Sequence, residues 1–145
     1  MTPNPMQSML GALPFQNGVV TRMINAENPT GEKGGGAKEI PNPDDPNLPH
    51  SFAAKDLGKG WKVRPFIDLD TGETKTLAAI EGPGCINHFW ITTSAKQWRT
   101  LVIRIYWDGE ESPSVEAPLG DFFAMGFDSH PHTVNSMPVV VAPQK

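Results

Sequence analysis

The sequence contains a single cysteine, Cys85, among its 145 residues. One cysteine excludes an internal disulfide and also a thiolate cluster for zinc or iron–sulfur binding. Cys85 follows Gly84 in an apolar segment, so we expect it to be a small buried hydrophobic residue rather than a nucleophile. The chain also lacks the run of roughly 20 apolar residues that a membrane-spanning helix requires. No membrane is therefore expected as a partner.

Basic residues are also few. The chain has 12 Lys and Arg residues against 16 Asp and Glu residues, which gives a formal net charge of -4. Nucleic-acid binding needs clustered Lys and Arg to neutralise phosphates, so no nucleic acid is expected as a partner. Residues 1–14 have neither the basic start nor the apolar core of a secretory signal, and this predicts a cytoplasmic protein.

Turn-forming residues, in contrast, are abundant. The chain has 15 Pro and 14 Gly, which disfavour helix interiors, while Leu101, Ile103, Ile105 and Trp107 recur at every second position. This alternation predicts a sheet with one buried face, and the composition predicts an all-β domain with long loops and little helix. We expect polar turns at 70–72 and 108–111, a helical turn within 119–127, and a final strand whose partner is absent. The strands are predicted at 61–67, 74–80, 85–93, 100–107, 114–117 and 137–142.

The chain is predicted to consist of a short extension and one domain. Residues 1–21 form the N-terminal extension, with a small apolar patch at Met9, Leu10, Leu13 and Phe15. Residues 22–145 form the domain. Within it, residues 34–49 are dense in Gly and Pro and are predicted to be a mobile loop.

Four sequence blocks occur together in a characteristic order. They are AENPTGEKG at 26–34, DLGKGWKVRPF at 56–66, GPGCINHFWIT at 82–92 and RTLVIRIYWDGEESPSVEAPLGDFF at 99–123. From about residue 22 to the last residue, the chain resembles the family catalogued as domain of unknown function 2961. That family includes members described as glycoside hydrolase family 172, which act on fructofuranosides and arabinofuranosides.

The resemblance implies a fold, a substrate class and an assembly. The expected fold is a jelly-roll-type β-sandwich, of which this chain would carry the N-terminal half of the first jelly roll. The expected partners are a furanoside carbohydrate and further copies of the chain, in a trimer or larger homo-oligomer, with no organic cofactor. The carboxylates that the family uses for catalysis are expected beyond Lys145. No catalytic residue is therefore assigned, and the chain is predicted to be an N-terminal fragment of an α-furanosidase, inactive alone.

Five residues are candidates for contact with a carbohydrate. Glu27 and Asn28 open a loop, and a sugar hydroxyl would need such a carboxylate and amide, although Asn-Pro-Thr-Gly is also an ordinary turn sequence. Trp61 lies near a predicted strand end, where its ring is free to line a groove. Asp121 stands between Gly120 and two phenylalanines, of which Phe122 is the fifth candidate. The alternative for Asp121 is a helix N-cap.

No metal site is predicted. His130 and His132 form an H-x-H pair, but two ligands in a loop are better explained by a solvated turn. Two other functions remain open alongside the hydrolase fragment. One is a non-catalytic β-sandwich for carbohydrate binding or oligomer formation, and the other is a truncated product without function.

Overall fold

Residues 18–42, 44, 54, 56–64, 66–126, 130 and 132–142 are described by a computed structural model of the chain. They belong to two compact units, Met1–Gly84 and Cys85–Lys145, each considered separately below. The predicted apolar patch in residues 1–17 lies outside the described residues, as do residues 43 and 45–49 of the predicted mobile loop.

The main sheet of the second unit is an antiparallel hairpin of strands β1 (Val102–Ile105) and β2 (Val115–Pro118). Ile103 is buried and its neighbours along β1 are exposed, so the predicted alternation is confirmed. On the exposed face, Arg104 lies directly opposite Glu116 and forms an ion pair with it. The hydrogen bond and the charge of Glu116 raise the pKa of Arg104. Because both side chains are exposed, this pair contributes little to stability.

Residues 106–114 connect the two strands and contain a tight turn at 107–110. Glu110 N–H donates to the Trp107 carbonyl over 2.9 Å, and the central residues Asp108 and Gly109 have φ of 47° and 81°. Two positive φ values match the type I′ turn that suits hairpins, so the predicted polar turn is confirmed. Hydrogen bonds from Ser114 and from the Trp107 N–H lower the pKa of the Glu110 carboxyl. The prediction that Trp107 lies on the buried face is wrong, since Trp107 begins this turn and is about half exposed.

A short helix, α1 (Leu119–Phe122), follows β2 without a loop and confirms the predicted helical turn. Its first two N–H groups donate to the carbonyls of Leu101 and Trp98, over 2.8 and 3.0 Å, which satisfies donors that a helix start leaves unpaired. A Cβ at Gly120 would lie 3.0 Å from both the Trp98 Cβ and the Met125 carbonyl oxygen. The close approach of these segments therefore favours glycine at this position.

The second sheet pairs β3 (Val134–Asn135) with β4 (Val140–Val141) in antiparallel register. A turn at residues 136–139 joins them, with the Ser136 N–H donating to the Val139 carbonyl over 3.0 Å. The strand predicted at 137–142 is present as β4. The prediction that its partner is absent is wrong, because β3 pairs with it. In the described residues, helix is confined to α1 and a 3₁₀ turn at Ala95–Gln97, and neither could cross a bilayer.

Three predicted strands do not form. The described residues of 61–67, 74–80 and 85–93 belong to no strand. An alternating pattern predicts which face a strand would bury, but a strand exists only where a partner supplies the hydrogen bonds. Cys85 is exposed for the same reason, so its predicted burial is wrong. Several large apolar side chains of these segments are also exposed, namely Ile67, Leu77, Ile80, Ile86 and Trp90.

Candidate functional site

The site begins with a tight loop in the first unit. Asn25 and Asn28 exchange backbone hydrogen bonds of 3.2 and 3.0 Å, and the Glu27 N–H donates to the Asn25 side-chain oxygen. The Gly31 N–H then donates to the Asn28 carbonyl over 3.2 Å, and Gly31 has a φ of 66°, which glycine adopts without strain. The turn predicted from Asn-Pro-Thr-Gly is therefore present.

The Glu27 side chain connects this loop to a distant part of the unit. One carboxylate oxygen, Oε1, accepts hydrogen bonds from the backbone N–H groups of Val63 and Arg64, over 2.7 and 2.6 Å. Val63 is only 1% exposed, so its N–H has little access to water. Hydrogen bonds to a carboxylate are stronger than those between neutral groups. Through these two hydrogen bonds, Glu27 connects the loop to the segment that contains Trp61.

Asn28 is buried and uses its side-chain amide within the loop. Its Nδ2 donates to the carbonyls of Met23 and Glu32, over 3.2 and 3.1 Å, and its Oδ1 accepts from the Glu32 N–H over 3.1 Å. Both amide donors are occupied, as is one acceptor position. The amide therefore binds the Glu32 backbone from two sides.

A glycine makes room for this amide. The Gly35 N–H donates to the Glu32 carbonyl over 3.0 Å, which brings the Gly35 backbone against Asn28. A Cβ at position 35 would lie 2.7 Å from the Asn28 Cγ, well inside van der Waals contact. Gly36, in contrast, has nothing within 4 Å of its Cβ position. Only the first of these neighbouring glycines is required by packing.

The loop encloses an open cleft of about 290 Å³. Its lining combines the charged residues Arg22, Glu32 and Lys33 with two asparagines, Met23 and the Gly34–Gly36 backbone. Sequence reasoning missed Glu32 and Lys33. They stand in the AENPTGEKG block, but the glycines that follow them indicated only flexibility.

Trp61, the third candidate of this unit, is 54% exposed. Trp61 lies two residues before Val63, whose backbone N–H donates to the Glu27 carboxylate. The Glu27 contact therefore holds the segment that carries the indole ring. An exposed indole ring can stack against a sugar. Contact of Glu27, Asn28 or Trp61 with a carbohydrate stays a prediction, and the observed contacts give the first two a structural role in the loop.

In the second unit, Asp121 is the third residue of α1 and forms an ion pair with Arg99. The alternative interpretation of Asp121 as N-cap is wrong, because Pro118 occupies that position and no side-chain cap hydrogen bond is made. The ion pair joins α1 to the segment before β1. A role for Asp121 in substrate contact stays a prediction.

Phe122 belongs to a cluster of three aromatic rings. Its centroid lies 5.9 Å from that of Phe89 and 5.0 Å from that of Phe123, with edge-to-face angles of 64° and 83°. The Phe89 and Phe123 centroids are 5.6 Å apart. Such geometry is favourable for aromatic pairs. These contacts alone account for the half-buried position of the Phe122 ring. Stacking of Phe122 on a sugar likewise stays a prediction.

His130 and His132 are in contact with each other. The ring Nδ1 of His132 lies 3.3 Å from the His130 carbonyl oxygen. Across the described ranges, no three His, Cys, Asp or Glu side chains come together in the way a metal centre requires.

Comparison with known proteins gives one match. The family model described as GH172 first beta-sandwich domain matches residues 42–140, which is more than half of the chain. The comparisons with curated proteins and with solved structures found no match. The matched range includes Trp61, Asp121 and Phe122, and the cleft residues precede it. The chain belongs to the GH172 first β-sandwich domain family.

Proposed function

We propose that this chain is a non-catalytic, carbohydrate-binding β-sandwich. It belongs to a glycoside hydrolase that acts on α-linked fructofuranosides or arabinofuranosides. The observation that carries the proposal is the family match over residues 42–140. We also propose that this β-sandwich is a jelly roll. The hydrolytic carboxylates are supplied from outside this domain, so the chain alone binds sugar without cleaving it.

Three carboxylates of the chain have structural roles, as expected of a supporting domain. Glycoside hydrolysis needs two carboxyl groups that are free to act on opposite sides of the glycosidic bond. Three of the acidic residues considered above are already engaged: Glu27 with two backbone N–H groups, Asp121 with an arginine, and Glu110 with a serine hydroxyl. Each of these contacts organises a loop, a helix or a turn, which is what a supporting domain requires.

Retention on immobilised polysaccharide tests this proposal. The full chain is passed over arabinan and fructan columns, with cellulose as control, and the same samples are assayed for released reducing sugar. We expect retention on a furanoside polymer and no release of sugar. Absence of retention on both polymers would contradict carbohydrate binding, and release of sugar would contradict a non-catalytic role.

Self-association is a second candidate, favoured by exposed apolar side chains within the first unit. Ile67, Leu69, Leu77 and Ile80 are each more than 40% exposed and stand close together in sequence. Association of copies of the chain would remove such exposed apolar side chains from water. We expect sedimentation velocity to show a trimer or a multiple of it, and to show a smaller species for Leu77→Glu/Ile80→Glu. A monomer at every concentration would contradict this.

A further inference from the structure

We propose that the cleft of residues 21–36 binds a single neutral sugar ring, with Glu32 and Lys33 as its principal polar contacts. This inference rests on the proposed function, because it names a place on the chain where a carbohydrate binds. The cleft precedes residues 42–140, so the family match assigns nothing to it.

Hydrogen bonds hold the Glu32 backbone on both sides of its side chain. The Asn28 amide binds both the N–H and the carbonyl of Glu32, and the Gly35 N–H donates to the same carbonyl. The Glu27 carboxylate fastens the beginning of the loop to Val63 and Arg64. Fixed supports of this kind are what a binding site needs, because they reduce the ordering that binding would otherwise require.

The side chains of Glu32 and Lys33, in contrast, are not used by the fold. In the described part of the chain, neither the Glu32 carboxylate nor the Lys33 ammonium makes a hydrogen bond or an ion pair. Both residues are exposed and line the cleft. The Glu32 carboxylate only accepts hydrogen bonds and the Lys33 ammonium only donates them, so the same cleft offers both kinds of group to a ligand.

This combination fits a polyol. A sugar hydroxyl both donates and accepts, so neighbouring hydroxyls can satisfy the Glu32 carboxylate and the Lys33 ammonium together. The positive charges of Arg22 and Lys33 outnumber the negative charge of Glu32, so they disfavour a cation, and the phosphate titration described below tests an anion against the sugar. Met23 adds an apolar surface to the lining. The volume of about 290 Å³ is near the lower limit for ligand pockets, which suits one ring rather than an oligosaccharide.

Isothermal titration of the full chain with methyl α-arabinofuranoside and methyl α-fructofuranoside tests the proposal. The test variants are Glu32→Gln and Lys33→Ala. Matched controls are Glu39→Gln and Lys38→Ala, which change the same residue types at exposed positions outside the cleft. A hydrogen bond to a charged group is worth enough to predict about a tenfold or larger rise in Kd for Lys33→Ala, and a smaller rise of about threefold for Glu32→Gln, which keeps an oxygen acceptor and loses only the charge. We expect the controls to bind as the wild type does, and all four variants to keep the wild-type thermal melt.

The outcomes separate this inference from the proposed function. Binding by the wild type that Glu32→Gln and Lys33→Ala leave unchanged would overturn the cleft and leave the proposed function standing. Absence of binding by the wild type would overturn both. Inorganic phosphate is titrated as an anionic probe, and tighter binding of phosphate than of either glycoside would overturn the assignment to a neutral sugar.

Discussion

Replacement of Glu27 by alanine is expected to lower the free energy of unfolding by about 3 kcal/mol, because it removes a shared acceptor from two backbone N–H groups. Val63 is almost fully buried, so water cannot readily replace the carboxylate there. The measurement is chemical denaturation followed by tryptophan fluorescence.

Two further variants separate geometry from charge. Glu27→Gln keeps an oxygen at the acceptor position and loses only the charge, so we expect it to recover most of the stability lost in Glu27→Ala. Glu39→Ala removes a carboxylate from an exposed position and should change stability by less than about 0.5 kcal/mol. If Glu27→Ala were as stable as Glu39→Ala, the contact between the loop and residues 63–64 would have no energetic role.

The second large effect is expected at Gly35. A Cβ in Gly35→Ala would overlap the buried Asn28 amide and force it away from its three hydrogen bonds. Overpacking and the loss of those bonds together predict a destabilisation of about 2 to 3 kcal/mol, measured by the same denaturation.

The neighbouring glycine provides the control. Neither glycine has a positive φ, but the Cβ position of Gly36 is open, so Gly36→Ala should be neutral or slightly stabilising. A double-mutant cycle with Asn28→Ala adds a second check. Once the amide is removed, Gly35→Ala should cost much less. Equal costs in the two backgrounds would contradict the steric explanation.

The sequence predicted local features of the second unit correctly where a few residues determine them. Asp108 and Gly109 adopt positive φ readily, so the hairpin turn could be located from the identities of these two residues. The alternation around Ile103 identified the buried face of β1. Trp107 was assigned to the same face because a periodic pattern does not indicate where pairing stops.

Pairing partners and distant contacts could not be predicted in this way. Nothing in the segments around Ile67 or Trp90 indicates whether a second strand is available, and without one their apolar side chains are exposed. The Glu27 contact spans 36 residues along the chain, and no local pattern encodes such a bond. Asn28 could be chosen as a site residue from its position in a turn. Its observed role is to hold the Glu32 backbone, and this requires the space beside its amide that Gly35 leaves because it has no side chain.

Glu27 and Asn28 use their side chains to hold the loop together, whereas the side chains of Glu32 and Lys33 line its cleft and are left for a ligand. Backbone amide NMR of the wild-type chain during titration with methyl α-arabinofuranoside tests this most directly. We predict that the amide signals of residues 21–36 shift as the sugar is added. Binding of the sugar without shifts in these residues would contradict the assignment of the cleft.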